Sequence, residues 1–302
     1  MLSASPISDV SRHPKIGMAS SERPRSDGRQ MTASVTFWGV RGSIACSGGA
    51  FARYGGNTAC VEVKIGSEIF ILDAGTGLMP LGRRLAEAKP GICHIFLSHA
   101  HWDHICGFPF FAPCYDARWR IHVHAGSMAN NGGVMQVLMG QMQAPYFPVP
   151  LSAMAADIRF SDFESGETLA PGHGVTVRTA PLNHPGGCTG YRLEWADRSL
   201  VYITDHEVAP GWNEQATALM EGADLVLFDA AYTGMEYENR KGWGHSTWED
   251  AVRLARASGA RRLGLIHHDP AHDDAFMDRI EQAARGSWPR VFAAREATTL
   301  VL

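Results

Sequence analysis

The chain has 302 residues, a formal net charge of -4, 45% hydrophobic residues and 19% charged ones. That is a globular composition with length for a sizeable core. No apolar run approaches the ~18 residues that cross a membrane, and the acidic balance lacks the field expected of a protein that tracks long nucleic acid.

Residues 1–31 are rich in Ser, Arg, Pro and Gly and lack the apolar stretch of a secretory signal. They are expected to form a disordered arm before one domain over 32–302. The arm carries a net +2, which leaves -6 for the body. Six scattered cysteines without a CxxC pair predict reduced thiols in a cytoplasmic protein.

The body opens with a strand in "ASVTFWG" and a Gly-rich loop. "CVEVKIGSEIFILDAG" predicts two strands joined at Gly66-Ser67. "GLMPLGRRLAEA" has helical spacing, and "CHIFLSHA" is a short apolar run typical of a buried strand. A helical turn is expected to start at Asp103. "IHVHA" alternates as a strand, so His122 and His124 are read as plain strand residues. Residues 128–154, rich in Met, Pro and aromatics, suit a lid. Strands resume in "ADIRFSDF", "VTVRTAPLNH", "TGYRLEWA" and "SLVYITDHE". "NEQATALMEG" predicts a helix and "ADLVLFDAAYT" a buried strand. "STWEDAVRLARASG" predicts a helix capped by Ser246 with Glu249 in a capping box. "RRLGLIHHDP" reads as a strand, "HDDAFMDRIEQAARG" as the last helix and "RVFAAREATTLVL" as the last strand.

Polar side chains recur where apolar strands end. "IFLS" leads to His99, "RTAPLN" to His184, "VYIT" to Asp205, "LVLF" to Asp229 and "LGLI" to His267 and His268. Five buried strands delivering His or Asp to one edge is the layout of a metal-dependent site. "HAHWDH" crowds His99, His101, Asp103 and His104 into six positions, which resist burial unless a cation pairs with them. In an extended turn His99 and His101 point the same way, as residues i and i+2.

"HAHWDH" resembles the HxHxDH motif of the metallo-β-lactamase fold. "LDAGTG", "LNHPGG", "ITDHE" and "LIHH" are similar to that family's further ligand segments, in order, over roughly residues 33–302. The resemblance implies an α/β, four-layer αβ/βα sandwich of two mixed sheets flanked by helices. It also implies two divalent metal ions. His99, His101 and His184 would hold one, Asp103, His104 and His267 the other, and Asp205 would bridge. His267 is preferred to its twin because it directly follows the strand. Asp73 would orient a ligand histidine. His and Asp ligands without a thiolate suit Zn first, with Mn or Fe open.

"GWGHSTWEDA" is similar to the Gly-His-Ser-Thr segment of ribonuclease Z-like phosphodiesterases. That resemblance gives His245 the protonation of the leaving oxygen and Asp229 the orientation of His245, with Asp103 also in the catalytic set. "FWGVRGSI" and "YGGNTACVEV" are similar to a bacterial subgroup near the cyclic-phosphate phosphodiesterases. Ribonuclease Z enzymes carry a long tRNA-gripping arm between the third-motif histidine and the bridging aspartate. Here His184 to Asp205 holds only a strand, a turn and a strand. The expected substrate is therefore a small phosphodiester such as a cyclic nucleotide or other cyclic phosphate, with no long nucleic acid and no membrane partner; a homodimer stays open. Expected substrate contacts are Arg41 and Arg192 on phosphate, Tyr146 and Phe147 in the lid, and His268. Hydrolysis of a carbon ester, thioester or lactone is the rival activity. A metal-loaded interaction module without turnover is the rival of another class.

Overall fold

The computed structural model describes residues 32–302, so the expected arm lies outside the described residues. Two seven-stranded sheets face each other. The first holds β1 (Ala33–Gly39), β2 (Cys60–Ile65), β3 (Glu68–Leu72), β4 (Ile92–Leu97), β5 (Arg120–Ala125), β6 (Asp157–Asp162) and β14 (Thr299–Val301), in the order β14-β1-β2-β3-β4-β5-β6. The second holds β7 (Thr168–Gly172), β8 (Val175–Leu182), β9 (Cys188–Trp195), β10 (Arg198–Ile203), β11 (Leu225–Asp229), β12 (Leu263–Ile266) and β13 (Val291–Ala293), in the order β13-β12-β11-β10-β9-β8-β7. Each sheet pairs antiparallel from one edge (β14 or β7) to its middle, then parallel to the other edge.

The alternation of the strands explains the layering. Val35, Phe37, Phe70 and Phe96 of the first sheet meet Tyr191, Leu193, Tyr202 and Leu227 of the second. The opposite face of the first sheet, with Ile71, Cys93 and Ile95, packs on helix α1 (Leu78–Ala86), the four-residue α2 (Trp102–Ile105) and α3 (Val134–Gln141). In α1 the residues Leu78, Leu81 and Leu85 recur at helical spacing and are buried. The outer face of the second sheet packs on α4 (Asn213–Met220), α6 (Trp248–Ala257) and α7 (Asp274–Ser287); a short α5 (Gly234–Tyr237) precedes α6. This is the predicted four-layer sandwich. Among the described residues no helix is long and apolar enough to cross a membrane. All six cysteines are free.

Three local expectations change. The last strand is two: β13 joins the second sheet, and the chain then crosses to the first as β14, turning at Ala297 with φ +58°. The cap of α6 is Thr247, whose hydroxyl accepts from Asp250 N–H, while Ser246 Oγ donates to the carbonyl of His206. The capping box lies instead at Thr233 and Glu236. Strand β7 was not legible because "TLAPG" carries Pro and Gly; it is an edge strand, where a missing N–H is tolerated.

Candidate metal centre

The chemistry gathers where strands of both sheets end. Asp73 follows β3, His99 lies two residues past β4, His184 two past β8 and Asp205 two past β10. Asp229 closes β11, and His267 follows β12. Asp73, Asp205 and His267 have left-handed backbone, with φ of +62°, +36° and +61°. Non-glycine residues seldom adopt that region, and such strain collects at functional sites.

Two groups of ligand atoms form, each within 4.8 Å. One contains His99, His101, His184 and Asp205; the other contains Asp103, His104, Asp205 and His267. Asp205 divides its two oxygens between them. Its Oδ2 lies 3.5 Å from His99 Nε2 and 3.6 Å from His184 Nε2. Its Oδ1 lies 3.2 Å from His104 Nε2 and 3.1 Å from His267 Nε2.

The imidazoles are held from behind. Asp73 is fully buried and accepts from His104 Nδ1 at 2.7 Å, from Ser98 N–H and Oγ at 2.7 and 2.8 Å, and from Tyr202 OH at 2.8 Å. That leaves His104 Nε2 facing Asp103 and Asp205. His184 Nδ1 donates to the Gly244 carbonyl at 2.9 Å, which turns its Nε2 inward. A Cβ at Gly244 would sit 2.2 Å from His184 Nδ1, and one at Gly42 would sit 2.2 Å from the His267 ring. Those glycines let backbone approach the ligands.

The donor set fits divalent metal ions. His99 Nε2 and His104 Nε2 are buried and without a hydrogen-bond partner. The donors are nitrogen and carboxylate oxygen, the set that Zn, Mn and Fe accept. Burial, with neighbouring imidazoles, holds His99 and His184 below the usual histidine range, in the neutral form that ligates. These clusters can thus hold divalent metal.

His245 lies beside them. Its ring stacks on His267 at 4.7 Å between centroids and lies 5.2 Å from that of His184. Its Nδ1 is 2.9 Å from Asp229 Oδ2. Burial opposes a charge on this ring, but Asp229 together with Asp205 and Asp103 outweighs it, and the pKa rises to about 9.

The family described as "Beta-lactamase superfamily domain" matches residues 69–268, which include every ligand candidate. The chain belongs to this family. This β-lactamase superfamily domain is 24% identical to a "Ribonuclease Z" of Haloarcula marismortui, over 84% of this chain and 91% of that protein. It is also 24% identical to a "Ribonuclease BN" of Cronobacter sakazakii, over 78% and 90%. Among solved structures, the metallo-β-lactamase fold protein YhfI from Bacillus subtilis superposes with a TM-score of 0.67 at 17% identity, covering 90% of this chain and 100% of that one. The short form of human tRNase Z superposes at 0.63 and 18% identity, covering 88% and 98%. A metal-dependent hydrolase, as expected, is what the family and these relatives support.

One expectation is overturned. The superfamily domain does have only the β9–β10 hairpin between His184 and Asp205. Yet relatives named as ribonucleases match most of its length. The short hairpin and the acidic body therefore give no ground for excluding long nucleic acid. Net charge is a poor guide here because local fields decide binding.

Three expected substrate contacts are corrected. Arg41 is fully buried; its Nε donates to Gly55 O at 2.8 Å and its Nη1 to His272 O at 2.6 Å and Asp269 O at 3.2 Å. Arg192 pairs with Glu194 at 2.7 Å and donates to the carbonyls of Leu219 and Glu221 at the end of α4. His268 is buried with Nε2 on Ala294 O at 2.9 Å, so only His267 enters the cluster. In the 128–154 segment, Gln141 donates to Ile105 O beside the histidine motif. Phe147 packs edge-on to Phe110, and Tyr146 is 74% exposed.

Sequence reasoning missed Glu207. It accepts from Gly242 N–H at 2.8 Å, Gly244 N–H at 2.9 Å and Tyr237 OH at 2.8 Å, pinning the loop that presents His245. It also missed Trp102 and Trp243, which are 70% and 60% exposed, the first opening α2 within the histidine motif and the second on the loop that carries His245. Tryptophan inside "HAHWDH" and "GWGHS" was the available signal.

Proposed function

We propose that this domain is a phosphodiesterase using two divalent ions, in which His245 protonates the leaving oxygen. The observation that carries this reading is the buried His245–Asp229 pair, with the His245 ring stacked on that of His267. His99, His101, His184 and Asp205 Oδ2 would hold one ion; Asp103, His104, His267 and Asp205 Oδ1 would hold the other. Ions held there would polarise a phosphoryl oxygen and supply a nucleophile from water at neutral pH. The leaving group of an alkyl phosphodiester still needs a proton. Asp229 fixes His245 through Nδ1, which leaves Nε2 to carry that proton. As the P–O bond breaks, the proton passes from Nε2 to the leaving oxygen, and His245 is recharged from solvent. Acyl transfer with a good leaving group has less need of such a donor, which is why this pair favours phosphoester over thioester or lactone cleavage.

A small phosphodiester, such as a cyclic phosphate, is the first substrate class. RNA is the second, on the strength of the ribonuclease-named relatives. The exposed indoles of Trp102 and Trp243, with Tyr146 and Phe147 near the motif helix, would stack on a base in either, at ~1–3 kcal/mol per base. Metal-replete protein should be assayed on bis(p-nitrophenyl) phosphate, cyclic nucleotides, a 3′-extended tRNA precursor, a thioester and a lactone. Turnover of phosphodiesters alone is expected. Preference for thioester or lactone would refute the phosphodiesterase reading, and cleavage of the precursor without the cyclic nucleotides would refute the small substrate.

A further inference from the structure

A second set of histidines lies away from the strand ends. His94 is on β4, and His122 and His124 are on β5. The parallel register sets His94 opposite His122 and Phe96 opposite His124, so all three imidazoles stand on one face of the first sheet. It is the face that carries Phe70 and Phe96 into the space between the sheets. The rings form a stack: His94 lies on Phe70 at 5.3 Å and 19°, and His124 on Phe96 at 4.6 Å and 13°.

The nitrogens converge. One ring nitrogen from each histidine lies within 4.8 Å of the others, and His94 Nδ1 is 3.2 Å from His124 Nε2. Nitrogens bound tetrahedrally at 2.0–2.1 Å from zinc are about 3.4 Å apart, so this pair is already at ligand spacing. His122 Nε2 is buried and has no hydrogen-bond partner. His94 is 3% exposed, while His122 and His124 are half-buried, so an ion can reach the cluster from solvent.

We propose that His94, His122 and His124 form a further transition-metal site, taking Zn2+, Ni2+ or Cu2+, separate from the centre at the strand ends. Three imidazoles without a carboxylate among the donors suit those ions and not Mg2+ or Ca2+. Burial, then the neighbouring imidazoles, lowers His94 to about 4 and His124 to about 3, so both are neutral ligands at pH 7. Binding there releases no proton. Arg120 and Arg159 flank His122, but both pair with Asp157, at 3.2 and 3.1 Å, which offsets their repulsion of a cation.

The test counts zinc bound to the full chain. Chelator-stripped protein is equilibrated with micromolar Zn2+ by dialysis, and the metal is measured in wild type, His122→Gln and His124→Asn. Each variant should bind one zinc fewer than wild type. Its hydrolysis of bis(p-nitrophenyl) phosphate should be unchanged. An unchanged zinc count in both variants would overturn the site. The same count in an Asp205→Ala background separates this site from the other: His122→Gln should remove zinc that survives there. The zinc count decides the matter even if the protein hydrolyses no phosphodiester. Mapping of diethyl pyrocarbonate labelling on wild type needs no variant. Zn2+ should protect His122, and equal labelling with and without Zn2+ would also reject the proposal.

Discussion

His245 donates through Nδ1 to Asp229 Oδ2 at 2.9 Å, and Asp229 cannot rotate to release it. Its Oδ2 also accepts from His206 N–H at 3.0 Å and its Oδ1 from Ala231 N–H at 3.0 Å. Both acceptor oxygens are committed, and the carboxylate is fully buried. The orientation of His245 is therefore set by backbone, which is what a proton donor requires.

His245→Ala should lower kcat ~10²–10⁴-fold on substrates with an alkoxide leaving group, the usual worth of general acid catalysis. The loss should shrink on p-nitrophenyl esters, whose leaving oxygen barely needs a proton. Metal content should be intact. Asp229→Asn should show the same pattern more weakly. Equal losses on good and poor leaving groups would withdraw the assignment.

Asp205→Ala should lose more metal than any other single ligand variant, because its two oxygens face different clusters. Elemental analysis of the wild type should find two ions per chain at the strand-end centre, beside the one at His94, His122 and His124. Normal metal content in the variant would contradict a bridging role.

Glu207→Ala should lower Tm by a few degrees, since the buried N–H of Gly244 loses its acceptor at about 1–3 kcal/mol, while the exposed Gly242 N–H turns to water. It should also lower kcat more than it raises KM, and chiefly on poor leaving groups, because the Gly242–Gly244 segment places His245. Leaving-group dependence read across an ester series is the check. A loss uniform across that series would mean that Glu207 supports structure without positioning His245.

Arg41→Ala should destabilise the fold by about 3 kcal/mol or more, because three carbonyls lose a buried charged donor. KM measured below the melting transition should not change. A raised KM at unchanged Tm would restore Arg41 as a phosphate contact.

Glu236 sets an acid limit. Burial raises its carboxyl, but the hydrogen bond from His272, at 2.8 Å, and those from Thr233 outweigh burial, so its pKa falls below the ordinary value. A depressed carboxyl contributes stability that is full above the unfolded pKa and is lost as pH falls through the folded one. The stabilisation should fade below about pH 4.5. Glu236→Gln should flatten the dependence of Tm on pH in that window, and an unaltered slope would count against it.

Much of the site was legible because strands announce their ends. Apolar runs stop at His99, His184, Asp205, Asp229 and His267, and a buried strand that ends in such residues has few other uses for them. The division into two ligand groups came from the resemblance of "HAHWDH" and the later strand ends to a known family, and the fold brings those side chains together. The lid aromatics, the buried arginines and His268 were another matter. Arginine in a strand or loop has the same sequence signature whether it meets phosphate or carbonyls. Arg41 meets Gly55, Asp269 and His272, up to 231 positions away, and no local pattern encodes that.

The sequence by itself determined which side chains resist burial without a cation, which faces of the strands are apolar, and thus a two-sheet sandwich with a cluster of His and Asp at its edge. The tertiary structure decided which strands became neighbours. It split the final strand between sheets, turned His267 inward and His268 toward Ala294, and set His94 opposite His122 on β5. The physical reason is that alternation along a chain fixes the face on which a side chain stands. Strand order and register fix what it meets, and both arise from the packing of the two sheets as a whole.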